Sequence, residues 1–169
     1  MRITTTGLND AIKMLEKKAK DSDGILKAGL YDGAGIVANQ YKANLWTLPT
    51  EKDHDGLPRV VNEGDPKLKG VTRQQKQDLI DSMGIAKMEN ILDKINTSIG
   101  VDGYGSIPTS KYPKGVPNAM LLRSIESGTS FREKTPVVRP AKNKARKRAI
   151  ASIDAKIHKL MREEKWNGN

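Results

Sequence analysis

Cysteine is absent from this 169-residue chain, which removes disulfides, thiolate metal sites and cysteine nucleophiles at once. Aromatic residues are almost as scarce, at 4% with a single Phe, and hydrophobic residues reach only 36%. A core must then be built from Leu, Ile, Val, Ala and Met, and part of the stability is expected from neighbouring subunits. No apolar run approaches the roughly 20 residues that a membrane-crossing helix needs. The first residues also lack a basic start followed by the apolar stretch and small-residue cleavage site of a signal peptide. The expectation is one domain over 1–169, made and used in a reducing cytoplasm, with no membrane partner.

Charge is plentiful and unevenly placed. The formal net charge is +10. Between Arg139 and Lys165 ten Lys or Arg face three Asp or Glu, a net of +7, and the remainder carries 20 basic and 17 acidic residues, a net of +3. A segment of this kind can serve nucleic acid, an acidic protein surface or solubility alone. It lacks interleaved aromatics, which favours a solvated face.

Hydrophobic spacing organises the rest. The β-branched start MRITTT reads as an edge strand. Leu8, Ile12, Leu15 and Ala19 then mark a first amphipathic helix. Asp21-Ser22-Asp23 breaks the pattern and offers caps for a second helix over about Gly24 to Leu45. Its many small residues (Ala28, Gly29, Gly33, Ala34, Gly35, Ala38) suit close packing within the chain or a subunit contact. Residues 47–71, dense in Pro, Gly and charge, predict a long loop with a short strand at Arg59-Val60-Val61. Thr72 and Gln75 have the spacing of a capping box opening a helix through Met83, with Gly84 as its stop. Ile91 to Val101 alternates as a half-buried strand, with Ile85–Met88 as hairpin partner and a turn near Glu89-Asn90. Residues 102–117 predict a second long loop. Pro117-Asn118 precedes a short helix holding Ala119, Leu122 and Ile125 and ended by Gly128. Ala141, Ala145, Ala149, Ile153, Ile157 and Leu160 form the stripe of a long last helix, whose first turn tolerates Pro140. The sum is an α+β fold, a small antiparallel sheet packed by an N-terminal helix pair and a long C-terminal helix.

Catalytic chemistry finds little support. His54 lies in the charged run Glu51-Lys-Asp-His-Asp55 with no second histidine nearby, which favours a solvated loop over a metal site. His158 sits among charges on the last helix. The Gly-rich pieces lack phosphate-loop and dinucleotide patterns, and Ser127-Gly-Thr129 lacks the flanks of a nucleophile elbow. Asp78 and Asp81 lie on a helix, where solvent is the ordinary partner. No enzyme activity, cofactor or small-molecule substrate is expected.

One stretch is distinctive: Asn118-Ala-Met-Leu-Leu-Arg-Ser-Ile-Glu-Ser-Gly-Thr-Ser-Phe131, then Pro136-Val-Val-Arg-Pro-Ala141, then the long charged helix. It resembles the tail-component family typified by phage Hong Kong ninety-seven, the phage morphogenesis or head–tail joining proteins of neck and tail completion. Glu126, Gly128 and Thr129 match that family's Glu-x-Gly-Thr turn, and Pro136, Arg139, Pro140 and Ala141 match its proline-containing strand and helix start. Gly70 to Ile85 and Ser98 to Tyr104 are similar to members from phages of Gram-positive bacteria. Val137 departs from the aromatic or large apolar residue that members often carry after the proline. The resemblance implies a virion protein at the head–tail interface, assembled as a ring of six copies, with other copies and adjacent neck or tail proteins as partners and incidental contact with phage DNA. Under it, Gly128 supplies a positive φ, and the Glu126 carboxylate either faces solvent or pairs with a cation or loop amide to hold the turn. Loops 47–71 and 102–117 are the candidate partner contacts. The alternative is a basic nucleic-acid-binding protein using the helix 139–165.

Overall fold

The computed structural model describes the backbone of residues 6–91 and 94–166, with side chains for 21–90 and 94–163. Two long helices dominate it. α1 (Thr6–Trp46) has 41 residues and α4 (Val138–Trp166) has 29, about 60 and 43 Å at 1.5 Å per residue. They lie antiparallel: Gly29 faces Ile157, Gly33 faces Ile153 and Ala149, and Asn44 reaches the start of α4 at Val137.

The N-terminal helix pair is thus one continuous helix, and the break expected at Asp21-Ser22-Asp23 does not occur. Asp23 is used sideways instead of as a cap. Its carboxylate accepts from Lys27 Nζ at 2.5 Å, one turn on, an arrangement that supports a helix from within. The expected edge strand falls on residues 1–5, and the side chains of the first apolar stripe on 8–19; both lie outside the described residues.

Small residues bring the two helices together. Ala141 and Ala145 are fully buried, with Ala149, Ala34 and Ala38 nearly so. A Cβ built on Gly29 would stand 2.8 Å from Ile157 Cγ1, and one on Gly33 2.5 Å from Ile153 Cγ1 and 3.2 Å from the Ala149 carbonyl. Of the two readings of the small residues, these positions follow close packing within the chain. A polar line runs beside the seam: Arg148 Nη2 donates to Gln40 Oε1 (2.9 Å), Gln40 Nε2 to Asn44 Oδ1 (3.0 Å), and Asn44 Nδ2 to the Val137 carbonyl (3.0 Å).

The main core sits at the α1 C-terminus, where Leu45, Leu48, Val71, Leu79, Ile80, Met83, Leu121, Ile125 and Val137 are buried together. None of these buried residues is aromatic, in keeping with the composition; half-buried Tyr41 packs against them, and Phe131 and Trp46 are exposed. α2 (Arg73–Asp81) and α3 (Asn118–Ser127) enclose it. Thr72 and Gln75 form the expected capping box, each side chain bonding the other's backbone N–H. The helix ends at Asp81, not Met83, and Gly84 enters a strand because Met83 and Ile85 are needed in pairing.

In place of one sheet, the described residues form separate two-stranded antiparallel pairs. β1 (Asp53–His54) pairs β2 (Leu57–Pro58), so the expected strand at Arg59–Val61 is displaced toward the turn Asp55-Gly56. β3 (Met83–Ile85) pairs β6 (Ile99–Val101), and β4 (Glu89–Ile91) pairs β5 (Lys94–Asn96). These last two pairs continue one ribbon. Between Ile85↔Ile99 and Glu89↔Asn96, residues 86–88 on one side oppose 97–98 on the other. That one-residue excess is a bulge. It interrupts the strand expected over 91–101 between Asn96 and Ile99, and Glu89-Asn90, expected as the turn, pair instead with Asn96 and Ile95. The alternation survives it: 94, 96 and 98 are exposed while 95, 97 and 99 are half-buried.

Candidate functional site

The segment 118–141 joins α3 to α4, and its geometry begins at a glycine. Gly128 has φ +75° and ψ 167°, a region essentially closed to residues with a Cβ. The expected positive φ is present, and the Gly128 N–H closes α3 on the Ser124 carbonyl at 3.0 Å. A tight turn follows. Thr129 N donates to the Arg132 carbonyl (2.9 Å), and Arg132 N donates to Thr129 Oγ1 (3.1 Å). Thr135 N then returns to the Ile125 carbonyl at 2.8 Å, and exposed Pro136 leads buried Val137 into the core.

The turn aims Glu126 at the start of α4. Its Oε2 accepts from the backbone N–H of Val137 (2.7 Å) and Val138 (2.9 Å), and its Oε1 from that of Arg139 (3.2 Å). A helix leaves its first four N–H groups without internal partners. Here the first intrahelical bond runs from Ala141 N to the Val137 carbonyl. Glu126 takes three of the four free positions, and the fourth is Pro140, which has no N–H. Glu126 therefore caps α4 from another helix, with its charge at the positive end of the dipole. Partial burial works to raise its carboxyl pKa, but the three amides and the nearby Arg139 charge outweigh it and hold the group below its ordinary value. Of the two readings of Glu126, the pairing with amides is the one realised. Arg139 and Pro140 are themselves exposed.

Arg132 was not singled out in the sequence. It is 4% exposed, with Nη1 donating to the Gly70 carbonyl and Nε without a partner among the described residues. Burial lowers its pKa, and the Glu51 carboxylate opposes that shift. Glu51 accepts from the backbone N–H of Lys69 (2.6 Å) and Gly70 (3.1 Å). Leu68 pairs with Arg132 through Leu68 N to Phe131 O (2.9 Å) and Glu133 N to Leu68 O (2.8 Å). The end of loop 47–71 is thereby stitched to the turn after α3. Loop 102–117 is tied down as well. Ser106 donates from N and Oγ to Asp78 Oδ2 (2.9 and 3.1 Å), so solvent is not the partner of Asp78. Asn118 is buried and donates from Nδ2 to the Asp102 carbonyl (2.9 Å).

His54 is exposed beside exposed Asp55, and among the described residues no cluster of acids and histidines is placed to hold a metal ion. Nor is any described helix long and apolar enough to cross a membrane.

Two surfaces remain. A mostly apolar groove of about 700 Å³ runs between the long helices and the ribbon tip, lined by Leu26, Leu30, Ile95, Ile153 and Ile157 together with Asp23 and Asn90. Leu26 is 48% exposed, and on the same helix Tyr31 is 59% exposed. The second surface is the outer side of α4, where Arg139, Lys142, Lys144, Arg146, Lys147 and Arg148 are all exposed. No protein-family model matches the chain, and neither a curated protein nor a solved structure does.

Proposed function

We propose that this chain is a structural subunit of a tailed bacteriophage, a neck or tail-completion protein that assembles as a ring of six copies at the head–tail interface of the virion and performs no reaction. The supporting sequence evidence is the ordered likeness of 118–141 to the head–tail joining family. The observation that carries the assembly is the apolar groove between α1, α4 and the ribbon tip. A concave, mostly apolar surface with a few polar groups is the usual form of a binding site. A groove built from three elements receives a different surface of the next copy, and such a heterologous contact closes into a ring when its rotation divides a full turn. The two long, tethered loops and the long helix pair suit a part that stacks between other rings.

The test is assembly. The purified chain should form ring particles by electron microscopy and sediment well above the monomer. Leu26→Glu and Ile95→Glu, at positions that are not buried, should keep the melting profile and abolish the particles. A chain that stays monomeric at every concentration and is missing from virions with correctly joined heads and tails would overturn the reading.

A further inference from the structure

We infer that the outer face of α4 binds the phosphate backbone of double-stranded nucleic acid, without reading its sequence. From Arg139 through Ser152 the helix carries six cations and no carboxylate. The seam residues Ala141, Ala145 and Ala149 are buried against α1, so the intervening positions face outward. At 100° per residue, Asn143 and Lys147 lie across from Ala145, with Arg146 and Arg139 to one side and Lys144 to the other. Lys142, Lys144, Arg146 and Lys147 have no carboxylate partner among the described residues; the ion pairs there engage Lys27, His54, His158 and Lys159. Arg148 donates to an uncharged amide. A one-sign face whose charges go unneutralised within the fold attracts polyanions.

Composition selects nucleic acid over an acidic protein. Protein interfaces are enriched in aromatic and apolar anchors and depleted in Lys. From Arg139 through Ser152 the outward positions hold mainly Lys, Arg, Asn and Pro, with Ile150 and Ala151 the exposed apolar exceptions. Interfaces with duplexes are strongly basic and polar. The cations span about 14 Å of helix, against one duplex charge per roughly 1.7 Å. The same segment lacks aromatic side chains for stacking and so favours paired over single strands. The inference is independent of the ring assembly.

The experiment measures binding of a fluorescent 25-base-pair duplex by anisotropy, with the full chain, at 50 to 200 mM salt. Contact with four or five phosphates predicts affinity falling by about two orders of magnitude across that range, equally for duplexes of unrelated sequence. Lys142→Glu/Arg146→Glu/Lys147→Glu should lose binding at 50 mM salt while melting as the natural chain does. Lys52→Glu/Lys87→Glu/Lys111→Glu, with the same change in net charge at exposed positions elsewhere, should retain most of it. No binding at 50 mM salt, or equal loss in both triple variants, would refute the face. So would a face variant that binds the duplex normally but no longer captures an acidic neck or tail protein.

Discussion

At the scale of single residues, the informative position is Glu126. A glutamate near the end of a short helix would ordinarily be read as solvated, and only the resemblance drew attention to it. Its partners are amides 11 to 13 residues away, which no local spacing rule connects. Glu126→Gln keeps one accepting oxygen but removes the charge and turns an NH2 toward one or two of the three N–H donors. The expected cost is about 1–2 kcal/mol, the size of a lost helix cap, read as a fall of several degrees in melting temperature. The folded carboxyl is held below its ordinary value. Its contribution is therefore complete above the unfolded value, about 4.3, and is lost as pH falls through the lower folded value. The gap between natural chain and variant should be widest at neutral pH and close below about pH 4. A constant gap from pH 7 to 3 would show that shape, not charge, is what Glu126 supplies. Arg132 teaches the converse. Nothing in Ser130-Phe131-Arg132-Glu133 marks the arginine as buried and the phenylalanine as exposed, because the distinction is made by Gly70, some 60 residues earlier.

At the scale of elements, legibility follows how local the deciding force is. The capping box at Thr72 and the helix stop at Gly128 are decided within four residues and were readable. The stripe Ala141–Ala145–Ala149 was readable because helical period alone reveals it. The break expected at Asp21–Asp23 does not form because its signals are local and weak, while a long partner helix outweighs them. The bulge in the ribbon depends on the count of residues in two strands at once, which alternation in one strand cannot reveal. The glycines of α1 test this account directly. Gly33 lies against Ile153 and the Ala149 carbonyl, whereas a Cβ on Gly35 would meet nothing within 4 Å. Gly33→Val should overpack the seam and cost about 1–3 kcal/mol. Gly35→Ala should raise stability by up to about 1 kcal/mol through helix propensity alone. Thermal melts of the two variants moving in the same direction would mean that the α1–α4 seam is not packed as described.

At the scale of the whole molecule, two surfaces of opposite character respond to salt in opposite ways. The composition announced the charge and the thin core but could not place either on a face; α1 and α4 do that by burying the alanine seam and leaving the cations outward. The net charge of +10 makes copies repel one another, and that repulsion acts over about 10 Å at 0.1 M salt and about 3 Å at 1 M. The groove of Leu26, Leu30, Ile95, Ile153 and Ile157 gains from apolar burial, which sulfate strengthens and screening does not weaken. Self-association through it should therefore rise with salt, as the repulsion is screened, and rise further in sulfate than in chloride at equal ionic strength. Duplex binding by α4 should fall over the same range. Sedimentation velocity on the natural chain at 50, 200 and 500 mM salt separates the two. Particles that dissociate as salt increases would locate the contact between copies on the basic face, and would leave the groove without the role assigned to it.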